Sequence, residues 1–425
     1  MRRPNPLTQG PRKLLIVSDQ LPGHQTGFQH SGHGHYLDAF MQYFRSCDFE
    51  IVLALVHPRL DFLSVDRERL SARVISPACR IVGRRLVVTS PSAVASAIVW
   101  SLYERLPRAL KAFASEMRSR MRRLRGFTHH FGAFLSKSEV DFVRKVAADE
   151  RPDVVLFDSV FNCCGRIAPV DHWVLTHDVK YQRAESFAEN GVAVRPLGFG
   201  RELERAVLAE VGNLVAIQWD DAEEFKRLVP GCRVVVTPVP MTVAASSESH
   251  GAIAGRCLFV GSGSFHNYDG LRWFLESCRP RIRAEVPDAT LDVCGSVCFR
   301  FDDVPAGVTL RGVVEDLGAS YRDASLAIVP LRMGSGLKVK LVEALAHALP
   351  VVTTPVGAQG LLGLSPRSFL LGASAEEFAT QTVALLRSFE LRKELAGAAR
   401  RCATLFTPEL AFAEFAAATG TVSEV

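Results

Sequence analysis

Six short, unbroken apolar runs recur through the first 240 residues and six more through the rest, and they leave the chain few choices of fold. The first set is KLLIVSD (13–19), EIVLALV (50–56), DVVLFDS (153–159), HWVLTHD (172–178), LVAIQWD (214–220) and RVVVTPV (233–239). These runs lack the in–out alternation of a strand with one wet face. Continuous aliphatic, β-branched runs belong to parallel strands covered on both sides. Helix-spaced segments fall between them, at 35–45, 138–149 and 222–228. The alternation predicts a doubly wound parallel sheet.

A small polar stretch at 241–254 then breaks the pattern, and the alternation restarts. RCLFVGS (256–262), ATLDVCG (289–295), GVTLRGV (307–313), SLAIVPL (325–331), PVVTTPV (350–356) and SFLLG (368–372) read as strands. Helices are expected at 269–285, 317–323, 338–348 and 375–406. At 425 residues the chain exceeds what one hydrophobic core organises. The expected architecture is α/β, two tandem Rossmann-like domains with a cleft between them. Residues 1–240 form the first, 241–254 the linker and 255–405 the second, with 406–425 returning to the N-terminal domain.

Hydrophobic residues at 48% and charged residues at 22% fit a globular chain, not a disordered one. Ten cysteines without regular spacing make no disulfide framework and read as reduced thiols. No signal-peptide core and no run of 18 apolar residues is visible, so a cytoplasmic protein is expected. The net charge of +5 is too modest to argue for nucleic acid. One insertion, at 93–127, departs from the alternation. Its stretch 105–125 carries eight basic residues and one acidic residue, Glu116, beside an apolar stripe at spacings of three and four. A solvated cationic helix is one reading. Peripheral attachment to anionic lipid at the inner face of a membrane, or to a lipid-linked phosphate acceptor, is the other.

Two segments carry chemistry. LFVGSGSFHNYDGLRWFL (258–275) puts a Gly261-Ser262-Gly263 turn between a strand and a helix, a geometry that aims free amides at a phosphate. His266 stands where a dinucleotide fingerprint has its third glycine. VPLRMGSGLKVKLVEALAHALPVVTTPVGAQGL (329–361) ends a strand, passes through Gly334-Ser335-Gly336 and opens a helix bearing Lys338, Lys340 and Glu343. Loop amides and lysines at a helix start suit a diphosphate, and Glu343 suits a ribose diol.

These segments, with GVVEDLGASYRDASLAIVPLR between them, resemble the nucleotide-binding domain of the retaining family 4 (group 1) glycosyltransferases, which have the GT-B fold. The resemblance is strong over 255–405 and weaker at SGHGHYLDAF (31–40), WVLTHDVKYQRAESF (173–187) and RVVVTPVPM (233–241). It implies that Glu343 holds the donor ribose and that Gly336 and Leu337 face the diphosphate and sugar. It further implies that Val313 and Val314 lie near the base and that His177 touches the sugar near its reacting carbon. Gly32, His33 and Gly34 match the N-domain loop that approaches phosphates and acceptor. Ser335 stands where many members keep a first glutamate, and Ser262 and Asn267 replace a common Arg/Lys pair. Lys338 and Lys340 are the residues expected to supply the missing charge.

The implied activity is transfer of a sugar from a nucleotide-sugar donor to a saccharide or lipid-linked acceptor, with retention at the anomeric carbon. No Asp-x-Asp pattern stands at a suitable strand end, so neither metal nor other cofactor is expected. Asp302-Asp303 and Asp220-Asp221 read as surface or helix-start pairs. His24, His30, His33 and His35 read as loop imidazoles, and His266 as a turn residue. A nucleotide-sugar 2-epimerase of the same fold and a non-catalytic relative acting as a partner are the rival readings. Loss of the first glutamate favours the second rival, and retention of Glu343 with both lysines opposes it.

Overall fold

A computed structural model describes residues 11–21, 32–56, 64–91, 94–95, 98, 128–130, 134–195, 199–243, 254–314, 316–363 and 367–421. The basic stretch 105–125 lies outside the described residues, as do 244–253 of the linker, His24, His30 and the side chains of Gly32 and His33.

The strands are β1 (Arg12–Ser18), β2 (Phe49–Leu55), β3 (Ser64–Asp66), β4 (Arg73–Ile75), β5 (Cys79–Val82), β6 (Arg85–Val88), β7 (Thr128–His130), β8 (Val154–Asp158), β9 (Asp171–Thr176), β10 (Ala193–Arg195), β11 (Asn213–Ala216) and β12 (Arg233–Val236) in the first half. The second half adds β13 (Arg256–Val260), β14 (Thr290–Cys294), β15 (Val308–Gly312), β16 (Leu326–Val329), β17 (Val351–Thr353) and β18 (Leu370–Leu371). The N-terminal sheet runs β12-β11-β9-β8-β1-β2-β4 and the C-terminal sheet β15-β14-β13-β16-β17-β18, with every pair parallel. Counted within each domain, both follow the order 3-2-1-4-5-6, with one further strand in the first. The winding order therefore reverses between β1 and β8, and in the second sheet between β13 and β16. Ligands of doubly wound folds bind at such switch points, beyond the carboxyl ends of the strands.

All twelve apolar runs become strands; the central β8 and β16 are buried along their whole lengths, while the edge strands β12, β15 and β18 are partly exposed. Three features were not read from the sequence: the edge strand β4, the antiparallel sheet β3-β6-β5 and the β7–β10 pair. They are only three or four residues long, so no extended apolar run marks them. The first half contributes helices α1 (Gly32–Ser46), α2 (Lys137–Glu150), α3 (Lys180–Glu189), α4 (Arg201–Ala209) and α5 (Trp219–Leu228). The helix expected at 269–285 starts earlier, at α6 (Phe265–Trp273), and passes through a π-helical turn (Phe274–Cys278) into α7 (Arg279–Glu285).

The helix expected over 375–406 is two helices, Ala375–Arg387 and Phe389–Ala403. Ser388 leaves the helical region and its Oγ accepts the Leu391 N–H at 3.1 Å, capping the second. The chain then recrosses. The Met241 N–H donates to the Phe406 carbonyl at 2.6 Å, and Glu414 accepts the Val236 N–H at 2.7 Å. Phe412 and Phe415 pack among Phe40 and Phe44 of the N-terminal domain, with ring centroids 5.3–5.9 Å apart. This second crossing fastens the two domains on either side of the cleft.

Candidate active site

A cleft of about 670 Å³ opens at the carboxyl ends of β13 to β16, walled on its far side by His35, Arg183 and Met241 of the N-terminal half. It gathers most of the expected residues: Gly261, Ser262, Val313, Val314, Ser335, Leu337, Lys338, Lys340 and Glu343 all line it.

The glycine turn after β13 does not work as expected. The Gly261 N–H donates to the Cys294 carbonyl at 2.9 Å and the Gly263 N–H to Ser296 Oγ at 2.8 Å. Both amides thus hold the turn against the end of β14 and are not aimed at a phosphate. Close packing explains the glycine: a side chain on Gly261 would meet the Phe259 ring at 2.8 Å.

The second glycine loop leads into α8 (Val339–Ala346), one residue later than expected. Lys338 stays extended, at φ −88° and ψ 96°. This matters because residues two apart on a helix point away from each other; with Lys338 outside the helix, both lysines reach the cleft. Lys338 is buried, and its Nζ donates to the Gly336 carbonyl at 2.6 Å and to Gln359 Oε1 at 3.3 Å. The Lys340 ammonium donates to Asn267 Oδ1 and lies 5.0 Å from the centre of the Phe259 ring. Asn267 therefore presents a cation at the place where the resemblance expects a basic side chain. Burial pushes Lys338 down to about 7, with the charge of Arg183 adding to the effect and those of Asp221 and Asp178 opposing it. Burial, with the Lys338 charge, likewise lowers Lys340 to about 7.

Glu343, one turn beyond Lys340 on the same face, accepts a 2.9 Å hydrogen bond from the hydroxyl of buried Tyr321. Tyr321 stacks on His347 with ring centroids 4.5 Å apart. Burial raises the Glu343 carboxyl above its ordinary value, while Tyr321, His35 and Lys340 act against the rise.

Ser335 and Gly336 face the other domain. Ser335 Oγ donates to Asp178 Oδ2 at 3.0 Å, and the Gly334 N–H donates to Ser186 Oγ at 3.1 Å. Ser335 thus anchors the loop to the facing domain instead of offering an acid. Burial works to raise the Asp178 carboxyl, but Arg183, Lys180 and Ser335 outweigh it and hold it well below the usual aspartate range.

His177 follows β9 but is not part of the cleft lining. Its Nε2 is 2.8 Å from Asp158 Oδ1, and Ser18 Oγ donates to the other oxygen of that carboxylate at 2.5 Å. The Tyr36 ring lies edge-on at 5.8 Å. The expected loop at Gly32, His33 and Gly34 is the first turn of α1 (Gly32–Ser46), and it is the next residue, His35, that lines the cleft. A polar stretch with two glycines gave no reason to start a helix there.

Further site residues escaped the sequence reading. Arg183, Ser296, Asp316 and His347 line the cleft, and His266, read as a turn residue, joins them. Asp221, read as a helix-start residue, does lie in the first helical turn, but it is 1% exposed, and burial raises its carboxyl to about 7. Among the described residues, no three His, Cys, Asp or Glu side chains converge as metal ligands do. Among them, too, no helix is long and apolar enough to cross a membrane.

Residues 254–388 match the family described as "Glycosyl transferases group 1". A stretch of 115 residues is 28% identical to an "uncharacterized 44.6 kDa protein in cps region" of Klebsiella pneumoniae, covering 24% of this chain and 30% of that protein. The chain thus matches less than a third of that relative's length. Among solved structures, a sucrose-phosphate synthase from Thermosynechococcus elongatus is similar with a TM-score of 0.64 at 14% identity, over 96% of this chain and 98% of the other. Anabaena HepE, solved in complex with UDP and glucose, is similar with a TM-score of 0.59 at 11% identity, over 97% and 100%. At these identities the structural likeness establishes a shared fold.

Proposed function

We propose, from a C-terminal domain of the group 1 glycosyltransferase family set in a GT-B fold, that this chain moves a sugar from a nucleotide-diphosphate donor to an acceptor hydroxyl with retention of anomeric configuration. The observation that carries the reading is the convergence of Lys338, Lys340 and Glu343 on one cleft at the switch point of the C-terminal sheet.

In this reading the carboxylate of Glu343 accepts hydrogen bonds from the ribose diol, displacing the Tyr321 hydroxyl or sharing it. Val313 and Val314 flank the base, and the Gly336–Leu337 backbone borders the diphosphate and sugar. The sugar C1–O bond breaks with its electron pair passing to the diphosphate oxygen. The acceptor oxygen bonds to C1 on the same face and its proton goes to the departing phosphate. Negative charge grows on the leaving group, so cations held there in advance lower the barrier most. Lys338 and Lys340 take that role, and metal independence belongs to the same reading. His177, oriented by Asp158, is assigned to the donor sugar near the reacting carbon.

The acceptor class is a growing glycan, a polysaccharide or a lipid-linked saccharide. Support comes from the relative in a cps region and from the basic stretch 105–125, read as a peripheral contact with anionic membrane. Release of nucleoside diphosphate from a panel of nucleotide sugars, with and without saccharide and lipid-linked acceptors, tests the whole reading. Acceptor-dependent release supports transfer. A product formed from donor alone would favour an epimerase, and silence across the panel a non-catalytic partner.

A further inference from the structure

The N-terminal wall of the cleft carries a cation that no part of the reading above uses. Arg183 lies one turn into α3 (Lys180–Glu189) and lines the cleft opposite the lysines. Its Nη1 is 2.8 Å from Asp178 Oδ2, but its Nε is buried and has no hydrogen-bond partner. A buried, unpaired guanidinium N–H is costly unless something else accepts from it. Asp178 pairs with only one terminal nitrogen of the fork while also serving Lys180 and Ser335, and the Arg183 side chain, 23% exposed, keeps donors for a second acceptor. Nor does Arg183 stand far from the lysines: its charge is the largest electrostatic influence lowering Lys338. An anion between the two would be held from both sides.

We infer that Arg183, reaching across from the N-terminal domain, binds the donor's diphosphate together with Lys338 and Lys340. It thereby replaces the basic pair absent at Ser262 and Asn267. The guanidinium is a planar fork whose parallel N–H groups match two phosphate oxygens, which a lysine cannot imitate. The ligand would also tie the domains together, because its phosphates bridge α3 of one and α8 of the other. Asp178 then acts as the positioning residue for the fork, and Ser335 links that carboxylate to the glycine loop.

The inference rests on the transferase reading of the cleft, and its test separates the two. Binding of inorganic pyrophosphate, which lacks base, ribose and sugar, is measured by calorimetry on the full chain and on Arg183→Gln and Arg183→Lys. The expected result is a roughly ten- to hundredfold weaker affinity for Arg183→Gln and a shallower dependence on salt. Arg183→Lys keeps the ion pair with Asp178, so it guards against misfolding; it should retain the wild-type melting temperature yet still bind several-fold more weakly. Wild-type affinity in either folded variant overturns the role of Arg183 while leaving the transferase reading intact. A wild-type chain that binds neither pyrophosphate nor any nucleoside diphosphate overturns both.

Discussion

Gly336 lies against the His177 carbonyl so closely that a methyl group added to it would meet that oxygen at 2.9 Å and the Asp178 Cβ at the same distance. The contact joins the glycine loop ahead of α8 to the end of β9 in the other domain, and glycine is what permits it. The residue also has a φ of +77°, where a side chain is strained whatever the space.

Gly336→Ala should therefore act on both stability and turnover. Strain and clash together should destabilise the fold by about 1–3 kcal/mol, and forcing the loop from His177 should lower turnover by at least tenfold. Thermal melts and initial rates check this. An alanine variant with parental rates would show that the contact does not control the site.

Glu343→Ala should weaken binding of a nucleoside diphosphate by roughly ten- to hundredfold, as loss of hydrogen bonds to a charged acceptor does. Its affinity for inorganic pyrophosphate should stay unchanged, because that ligand has no ribose. Calorimetry with the two ligands separates the outcomes, and an equal loss for both would remove the ribose assignment.

Replacing Lys338 and Lys340 together by Met should depress turnover by about a hundredfold or more, the scale seen when a preorganised donor at developing charge is lost. Asn267→Ala should give a smaller loss, since it leaves the Lys340 charge in place and removes only its orienting partner. Rates near wild type in the double variant would exclude the lysines from the mechanism.

Donor affinity should fall as pH rises through neutrality. The free lysines are lowered to about 7 by burial. A bound diphosphate favours their charged forms and raises them, so binding takes up protons. Affinity is then highest below pH 7 and declines between 7 and the higher value in the complex. Calorimetry in two buffers of different ionisation heat measures the uptake, and proton release on binding would contradict it.

Asp221→Asn should stabilise the ligand-free protein above pH 7. Burial raises this carboxyl from its ordinary 3.8 to about 7, so between those values the folded state holds a proton that the unfolded chain has lost. Stability from this group is present at low pH and drains away as pH rises from about 4 to 7. The amide removes that dependence, for a gain of about 4 kcal/mol at pH 8 and little at or below about pH 4. Melting curves at the two pH values check the crossover.

Much of the fold was legible because burial on both faces writes itself as continuous apolar runs, and β1, β8, β13 and β16 each coincide with one. Part of the cleft lining was legible for a local reason: a glycine loop ahead of an amphipathic helix marks the helix end where Lys338, Lys340 and Glu343 stand together. The misreadings were equally local in origin. Free glycine amides at 261 and 263 were inferred from turn chemistry alone, yet the carbonyl and hydroxyl that take them belong to residues 294 and 296.

The amino-acid sequence alone determined two parallel sheets and a helix with Lys340 and Glu343 following the strand that ends at Val329. Tertiary structure decided which charges meet. Asn267 holds Lys340 from 73 residues away, and Ser335 holds Asp178 from 157. Arg183 faces the lysines only because the domains close on each other. Such pairings depend on how elements pack in space, and residue spacing along the chain carries no record of that distance.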